Sequence, residues 1–440
     1  MPRFAHSKPG ADQLNQASAA SLQNPTGPGS RALRIALLGY RSNPFSGGQG
    51  VYLKYVSRAL AELGHEVHVI SGEPYPELHH SVKLIKLPGL NLFAASHPGR
   101  SLRARHLKSF TDTFEWASML SGGFPEPYTF GRRVYRYLRA HAGTYDIVHD
   151  NQTLSYGVAR LPQLGLPLVT TIHHPITKDL EIALANTTSV GLRLLIRRWH
   201  RFLRMQTRVA RRLDHIVTVS NRAKADIGSD FGVNPQRIHV VHNGVDCEEF
   251  RPMPEVVRAK QKLITTASAD QPLKGTQHLI PALKTLIGEF PDLSLTFIGK
   301  PKPGGATEQL IKDLGVSGHI EFLHGIDNRE IVEHYARATL AVVPSEYEGF
   351  GLPAAEAMAC GVPVVSTDGG ALPEVVGNAG VVVPHSNPTA LAGAIATLLR
   401  EPKRREALGR AGRDRMLNEF SWTAAATTLT SYYHTLLADA

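Results

Sequence analysis

The sequence predicts an α/β chain built as two Rossmann-like domains that face each other across a cleft. Three observations lead there. Short apolar runs alternate with helix-spaced segments, the alternation occurs in two series, and a Pro- and charge-rich stretch at 250–262 separates them. Strands alternating with helices imply parallel sheets, and each series has enough strands for a sheet of its own.

The first series opens with an apolar run at 35–38 that ends at Gly39, followed by a loop carrying Gly47, Gly48 and Gly50. Val51, Tyr55, Ala59 and Leu63 then recur at helical spacing, Gly64 stops the helix, and 67–70 reads as the next strand. Further strands are expected at 147–148, leading to His149 and Asp150, at 167–172, ending at His173 and His174, at 216–219 and at 239–241. The second series places strands at 263–267, 295–298, 320–323, 340–343, 363–365 and 381–383, with a helix opening at Lys274-Gly275. The expected domains are 31–250 and 251–420, with a carboxyl-terminal helix in 421–440 and a disordered tail of Ser, Asn, Gln, Gly and Pro at 1–30.

Composition narrows the function classes. The 440 residues carry 48 Lys+Arg against 38 Asp+Glu, a net charge of +10. Residues 1–250 hold 30 basic and 18 acidic side chains, and 251–440 hold 18 and 20, so the first half alone is basic. Such an excess suggests an anionic partner such as a membrane surface, a phosphorylated substrate or nucleic acid. Cys247 and Cys360 are the only cysteines, which excludes a disulfide scaffold and a cysteine-cluster metal site. No run approaches the roughly eighteen apolar residues needed to span a bilayer, and the opening residues lack the apolar stretch of a signal peptide. A cytoplasmic protein is expected, peripheral at the inner membrane face if it meets the membrane at all.

Doubly wound sheets bind ligands beyond the carboxyl ends of their strands. Gly47 and Gly48 lie there, where bare backbone amides can approach a phosphate or sugar, although a plain tight loop would look the same. The loop does not match G-x-G-x-x-G, which removes the main support for a nicotinamide site. The segment 344–356 is more specific. A strand runs into acidic residues, and a glycine-rich turn enters a helix with Pro353 in its first turn. Amides near Gly351 and Leu352 would leave a helix N-terminus aimed at a diphosphate, Glu356 lies one turn inside where it can hold a ribose diol, and Glu348 precedes the turn near an attached sugar. The bland alternative is a capped helix with a solvated acidic start.

Glu348 and Glu356, separated by seven residues, together with Gly47-Gly48, Gly64-His65-Glu66-Val67, Thr171-Ile172-His173, Asn243-Gly244-Val245-Asp246, Lys274-Gly275 and Cys360-Gly361-Val362-Pro363-Val364-Val365, resemble the signature of retaining glycosyltransferases of family 4. The resemblance spans nearly all of 34–435 and implies the GT-B fold, a nucleotide-diphosphate sugar as donor and front-face transfer of a hexose to an acceptor hydroxyl. It implies that Glu356 holds the nucleotide ribose, that Glu348 contacts the donor sugar and supports the transition state, and that Lys274 neutralises the diphosphate. It further implies that amides at Phe350, Gly351 and Leu352 hold phosphate and sugar oxygens, that His173 lies near the reacting carbon, and that Gly48 approaches the diphosphate. The last helix should cross back onto the first domain.

One position departs from the pattern. The family commonly has an arginine five residues before this lysine, and here Ala269 stands there. Leaving-group stabilisation is the main electrostatic task in this chemistry, so Lys300, at the lip of the next strand, is a candidate to supply the missing charge. A solvated lysine is the alternative. No Asp-x-Asp motif or His/Cys cluster with ligand spacing appears, so the expectation is transfer without metal or cofactor.

The basic excess has a focus. Between 190 and 212 there are eight arginines and no acid, and Arg193, Arg197, Arg201, Arg204, Arg208 and Arg211 share a helical face. A helix over 193–212 could lie on an anionic membrane with Trp199 and Phe202 entering the interface, or its apolar face could be core and its arginines solvated. His149, Asp150 and His174, at strand ends, are candidate acceptor contacts or cleft-lining structural residues. The main reading is a hexosyltransferase acting on a membrane lipid or lipid-linked glycan. The alternatives are a soluble small-molecule or saccharide acceptor and a nucleotide-sugar epimerase or phosphorylase of similar fold. No zinc-finger, RRM-like or helix-turn-helix signal supports a nucleic-acid partner. The sequence chooses neither among UDP, GDP and ADP donors nor among donor sugars, and it does not address subunit number.

Overall fold

The computed structural model describes residues 31–43, 48–92, 97–185 and 187–438; the tail expected at 1–30 and the candidate Gly47 lie outside the described residues. Strands β1 (Arg34–Gly39), β2 (Glu66–Ser71), β3 (Lys83–Lys86), β4 (Ile147–Asn151), β5 (Leu168–Ile172), β6 (Ile216–Thr218) and β7 (Ile238–Val240) form a parallel sheet in the order β3-β2-β1-β4-β5-β6-β7. Strands β8 (Lys262–Thr266), β9 (Ser294–Ile298), β10 (Ile320–Leu323), β11 (Leu340–Val343), β12 (Val364–Thr367) and β13 (Val381–Val383) form a second, in the order β10-β9-β8-β11-β12-β13. Helices flank both sheets, and the whole has the GT-B architecture of two Rossmann-like domains. Those that frame the site and its surroundings are α1 (Gly48–Glu62), α2 (Phe110–Leu120), α3 (Glu126–Ala140), α4 (Val190–Trp199), α5 (Leu203–Ala210), α6 (Asn221–Phe231), α7 (Thr276–Ile287), α8 (Leu352–Ala359), α9 (Leu372–Val376) and α10 (Trp422–Ala438).

Strand alternation explains why the first sheet is apolar on both sides. Leu38, Ile70, Val148 and Ile172 face Phe130, Val134 and Leu138 of α3. Ile35, Leu37, Val67 and Val69 face Leu53, Val56 and Leu60 of α1, and the same core takes in Ala426, Leu429 and Tyr433 of α10. The last helix thus lies on the first domain. Its entry is fixed where Trp422 stacks on Tyr55, with ring centroids 5.7 Å apart. A side chain at Gly244 would meet the Trp422 backbone nitrogen at 2.2 Å, so glycine permits the crossing.

Two features differ from expectation. Strand β3, Lys-Leu-Ile-Lys, escapes a periodicity search because it is a short, half-exposed edge strand flanked by lysines. The arginine-rich segment is two helices, α4 and α5, joined by a 3-10 turn at His200–Phe202. Its apolar side divides accordingly: Leu203, Met205 and Val209 are buried, whereas Val190, Leu192, Leu194 and Leu195 are exposed.

Candidate functional site

The loop between β11 and α8 carries the densest chemistry. Gly351 closes it with φ +103°, a conformation that L side chains rarely adopt, and α8 begins at the next residue. Two glycine contacts hold the loop on either side. A Cβ at Gly275 would fall 1.8 Å from the Pro344 carbonyl oxygen, and one at Gly370 would fall 2.1 Å from that of Glu348. The Ala371 amide donates to the same Glu348 carbonyl at 2.8 Å. Held this way, Glu348 is buried and its Oε1 accepts from Lys274 Nζ at 2.7 Å and from Ser345 Oγ at 2.8 Å. Glu346 points elsewhere, toward α7, accepting from Gln277 Nε2 at 2.9 Å and paired with His278 Nε2 at 2.8 Å.

Glu356 sits in α8, half-buried, and its carboxyl accepts no hydrogen bond from the described residues. Burial and the nearby Glu249 carboxylate push its carboxyl up to about 8. Glu249 itself comes from the end of the first domain, where it accepts from the Tyr55 hydroxyl and from Asn328 Nδ2 at 2.9 Å. Glu356 is therefore a carboxyl lacking donors, and a ligand diol would supply two. Phe350 is 4% exposed and packs in the second-domain core, so only its backbone can serve a ligand.

The first domain provides the opposite wall. His173 follows β5, and its Nε2 meets Asn151 Oδ1 at 2.7 Å, while Asn151 Nδ2 donates to the Gln49 carbonyl at 3.2 Å. Because the Asn151 amide nitrogen is already committed to Gln49, His173 Nε2 carries the proton in this pairing. The His173 amide donates to Gln152 Oε1 at 2.7 Å. Burial, with His174 and His149 adding to the effect, pushes the His173 imidazole down to about 3, so it is neutral. Gln152 and Leu154 hold positive φ without being glycine, so backbone strain is stored beside this histidine. A Cβ on Gly349 would lie 3.3 Å from the His173 carbonyl oxygen, which brings the Glu348 loop against the His173 loop. A Cβ on Gly48, at the start of α1, would meet nothing within 4 Å, leaving open space at that amide.

A second set of contacts joins the domains. Ser220 Oγ donates to the Gly349 carbonyl at 2.9 Å, and the Tyr347 hydroxyl donates to Asp226 Oδ2 at 2.8 Å. The Glu374 carboxylate of α9 accepts from the Asn221 and Arg222 amides at the start of α6, at 2.8 and 2.7 Å. A carboxylate at a helix N-terminus is a favourable charge–dipole arrangement.

The remaining candidates have different surroundings. His149 is 1% exposed, with Nδ1 on the Tyr433 hydroxyl of α10 and Nε2 on Thr171 Oγ1 of β5 at 2.6 Å, so both ring nitrogens already have partners within the fold. Asp150 is fully buried, and its Oδ2 accepts from the Thr153 and Leu154 amides at 3.1 Å, which shapes the loop, while Oδ1 has no hydrogen-bond partner among the described residues. His174 is half-exposed, 3.6 Å from Asp179 and facing Tyr347 across the cleft. Lys300 is exposed just beyond β9 with no ion pair among the described residues. Ala269 is 3% exposed, within the second-domain core. Arg197, Arg201 and Arg204 are exposed, but Trp199 and Phe202 are half-buried against Phe124, at centroid distances of 5.2 and 5.1 Å, because the aromatic side of this segment closes on the loop before α3. Among the described residues no helix is long and apolar enough to cross a membrane, and no group of three or more His, Cys, Asp or Glu could hold a metal ion.

Asn151, Gln152, Ser345, Glu249 and Glu374 join the site without lying on a motif that assigns them a role. The Ser220 cap at a strand end and the Gly369-Gly370 pair before Glu374 were the available signals for the interdomain contacts.

Comparison with known proteins adds an independent line. Residues 46–249 match the family described as Glycosyltransferase Family 4, and residues 249–415 match Glycosyl transferases group 1. The chain is 43% identical over 410 residues to an MMP alpha-(1->4)-mannosyltransferase of Mycolicibacterium hassiacum, covering 92% of this chain and 99% of that protein. It is 27% identical over 437 residues to D-inositol 3-phosphate glycosyltransferase 2 of Catenulispora acidiphila, covering 92% and 96%. Among solved structures it resembles the sucrose-phosphate synthase of Thermosynechococcus elongatus, with TM-score 0.68, 23% identity and coverage of 93% and 100%. It also resembles WaaG, a glycosyltransferase involved in lipopolysaccharide biosynthesis, with TM-score 0.65, 18% identity and coverage of 90% and 99%.

Proposed function

The chain belongs to glycosyltransferase family 4 and is a glycosyltransferase, and from that premise we propose that it transfers a mannosyl unit, with retention, from a nucleoside-diphosphate donor to a hydroxyl of a soluble saccharide. The observation that carries the reading is the Glu348–Lys274 pair at 2.7 Å, placed beside the unpartnered Glu356 and against the His173 loop. The sugar and linkage come from the 43% identical mannosyltransferase.

In this reading the donor diphosphate lies at the N-terminus of α8, on the amides near Gly351 and Leu352, with Lys274 turning from Glu348 to the phosphates. Glu356 takes the ribose diol. The neutral His173, held by Asn151, presents its ring to the donor sugar. The bond from the anomeric carbon to the phosphate oxygen breaks while the bond to the acceptor oxygen forms on the same face, and the acceptor proton passes to the departing phosphate. No side-chain base is then required, and the donors aimed at the leaving diphosphate supply the main stabilisation. Lys300, on the lip of β9, is the candidate for the charge that Ala269 lacks.

A panel of UDP-, GDP- and ADP-linked mannose and glucose, offered with α-(1→4)-mannooligosaccharides and analysed by product mass and linkage, tests the proposal. One mannose added to the oligosaccharide, and lost in Glu348→Gln, is expected. Epimerised donor or a phosphorylated sugar as product would contradict it. An anionic membrane as partner remains a second reading, favoured by the exposed Leu192, Leu194 and Leu195 beside Arg197 and Arg201. Flotation with anionic vesicles, lost on charge reversal at Arg197 and Arg201, is its expected signature.

A further inference from the structure

The outer face of α3 carries a feature that the transfer chemistry leaves unused. A cavity of about 520 Å3 lies between α3 and the 3-10 helix Val158–Leu164. Arg132, Arg136, Arg139 and Arg160 line it. Tyr128, Tyr135 and Tyr156 supply its rings, and no carboxylate lines it. The two helical segments are drawn together by glycine: a Cβ on Gly157 would fall 2.0 Å from the Gly131 carbonyl oxygen.

The arginines are unbalanced. None of the four forms an ion pair among the described residues, and the guanidiniums of Arg136 and Arg139 donate no hydrogen bond there. Their neighbour Arg133 shows the contrast, because it turns to α2 and meets Asp112 and Glu115, each at 2.6 Å. Arg160 stacks over Tyr135 at 4.9 Å, and Arg132 lies between the Phe110 and Tyr128 rings, 5.1 and 6.0 Å from their centroids; their Nε atoms donate to Gln163 and Thr111, and their terminal nitrogens donate to no residue among those described. A guanidinium whose face rests on a ring keeps its terminal N–H groups available for an oxyanion. Four like charges in one concavity repel each other, and a multivalent anion removes that cost.

We propose that this groove binds a phosphorylated sugar. The guanidiniums would take phosphate oxygens in bidentate pairs, and the tyrosines would cover the C–H face of the ring while their hydroxyls meet its polar edge. The groove is concave and lacks aliphatic side chains, whereas a bilayer presents a flat surface that takes exposed apolar groups. Its residues belong to the first domain and are separate from the Glu348, Glu356 and Lys274 cluster, so the site stands whichever sugar is transferred.

Titration calorimetry with fructose 1,6-bisphosphate, and with fructose as the uncharged control, tests the groove in the full chain. Wild type should bind the bisphosphate but not fructose, more weakly as salt is raised. The R136Q/R139Q double variant should lose at least about tenfold in affinity, the scale of one charge-assisted hydrogen bond, at unchanged Tm. The K274A variant should bind as wild type does. No binding by wild type, full binding by R136Q/R139Q, or loss confined to K274A would overturn the proposal. So would wild-type binding of phosphatidylglycerol vesicles, or of an oligothymidylate, without binding of the bisphosphate.

Discussion

Glu348 and Glu356 stand on one loop–helix segment in opposite electrostatic surroundings. The first has Lys274 and Ser345 as donors, and the second has none and faces Glu249. With its carboxyl at about 8, Glu356 is mostly protonated at neutral pH. A diol that donates to the carboxylate favours the charged form, so nucleotide binding should release a proton and strengthen as pH rises toward 8. Calorimetry in buffers of different ionisation enthalpy measures that release. Glu356→Gln should flatten the pH profile and weaken nucleotide binding by about 1.5–3 kcal/mol. His149 and His173 carry the reverse sign. Burial drops both from 6.5 to about 3, so their contribution to stability is complete above pH 6.5 and is lost as pH falls from there toward 3. Thermal unfolding followed across that window should show a falling Tm, with less fall in His149→Phe. The Glu348, Glu356 and Lys274 positions were legible in the sequence because they lie on compact loop motifs. Asn151, Gln152 and Glu249 were not, because only the β1-β4-β5 strand order and the interdomain contacts make them neighbours of the site. His149 looked cleft-facing for the same reason, since the helix that covers it is 284 residues away in sequence.

At the scale of elements, α9 couples two tasks. Its N-terminal approach, Gly369-Gly370-Ala371, holds the Glu348 carbonyl, and its Glu374 holds the start of α6 in the other domain. One short helix therefore links the interdomain contact to the Glu348 loop, and a change in the first is expected to reach the second. Glu374→Ala should shift the balance toward an open cleft by on the order of 1–3 kcal/mol, tempered by the exposure of these bonds. The expected outcome is a larger radius of gyration by X-ray scattering and a lower kcat at saturating donor. An unchanged scattering profile with unchanged kcat would contradict it. Nearly every strand was legible from apolar runs bounded by glycine or polar residues, and β3 was not, because an edge strand with lysines at both ends has no such run. The break between α4 and α5 was also hidden, since an arginine every three or four residues continues through the 3-10 turn.

At the scale of the molecule, α10 makes the first domain depend on the end of the chain. It buries Trp422, Leu429, Tyr433 and Leu436, and each large side chain so buried is worth about 1.5–3 kcal/mol. Together they approach the whole stability of a domain, about 5–15 kcal/mol. Truncation before Trp422 should therefore unfold the first domain, seen as loss of the thermal transition assigned to it. The charge asymmetry, +12 in 1–250 against −2 in 251–440, fits the same division of labour. A donor site needs few placed groups, while the basic surface of the first domain, including the α3 groove, is open to other anions.

The proposed reaction is retaining transfer from a nucleoside diphosphate bound by Glu356 and Lys274. The most direct measurement is the anomeric configuration of the product, read from the one-bond C1–H1 coupling after reaction with an α-configured, 13C1-labelled nucleoside-diphosphate mannose. An α-mannoside is expected, and a β-mannoside would rule out retention.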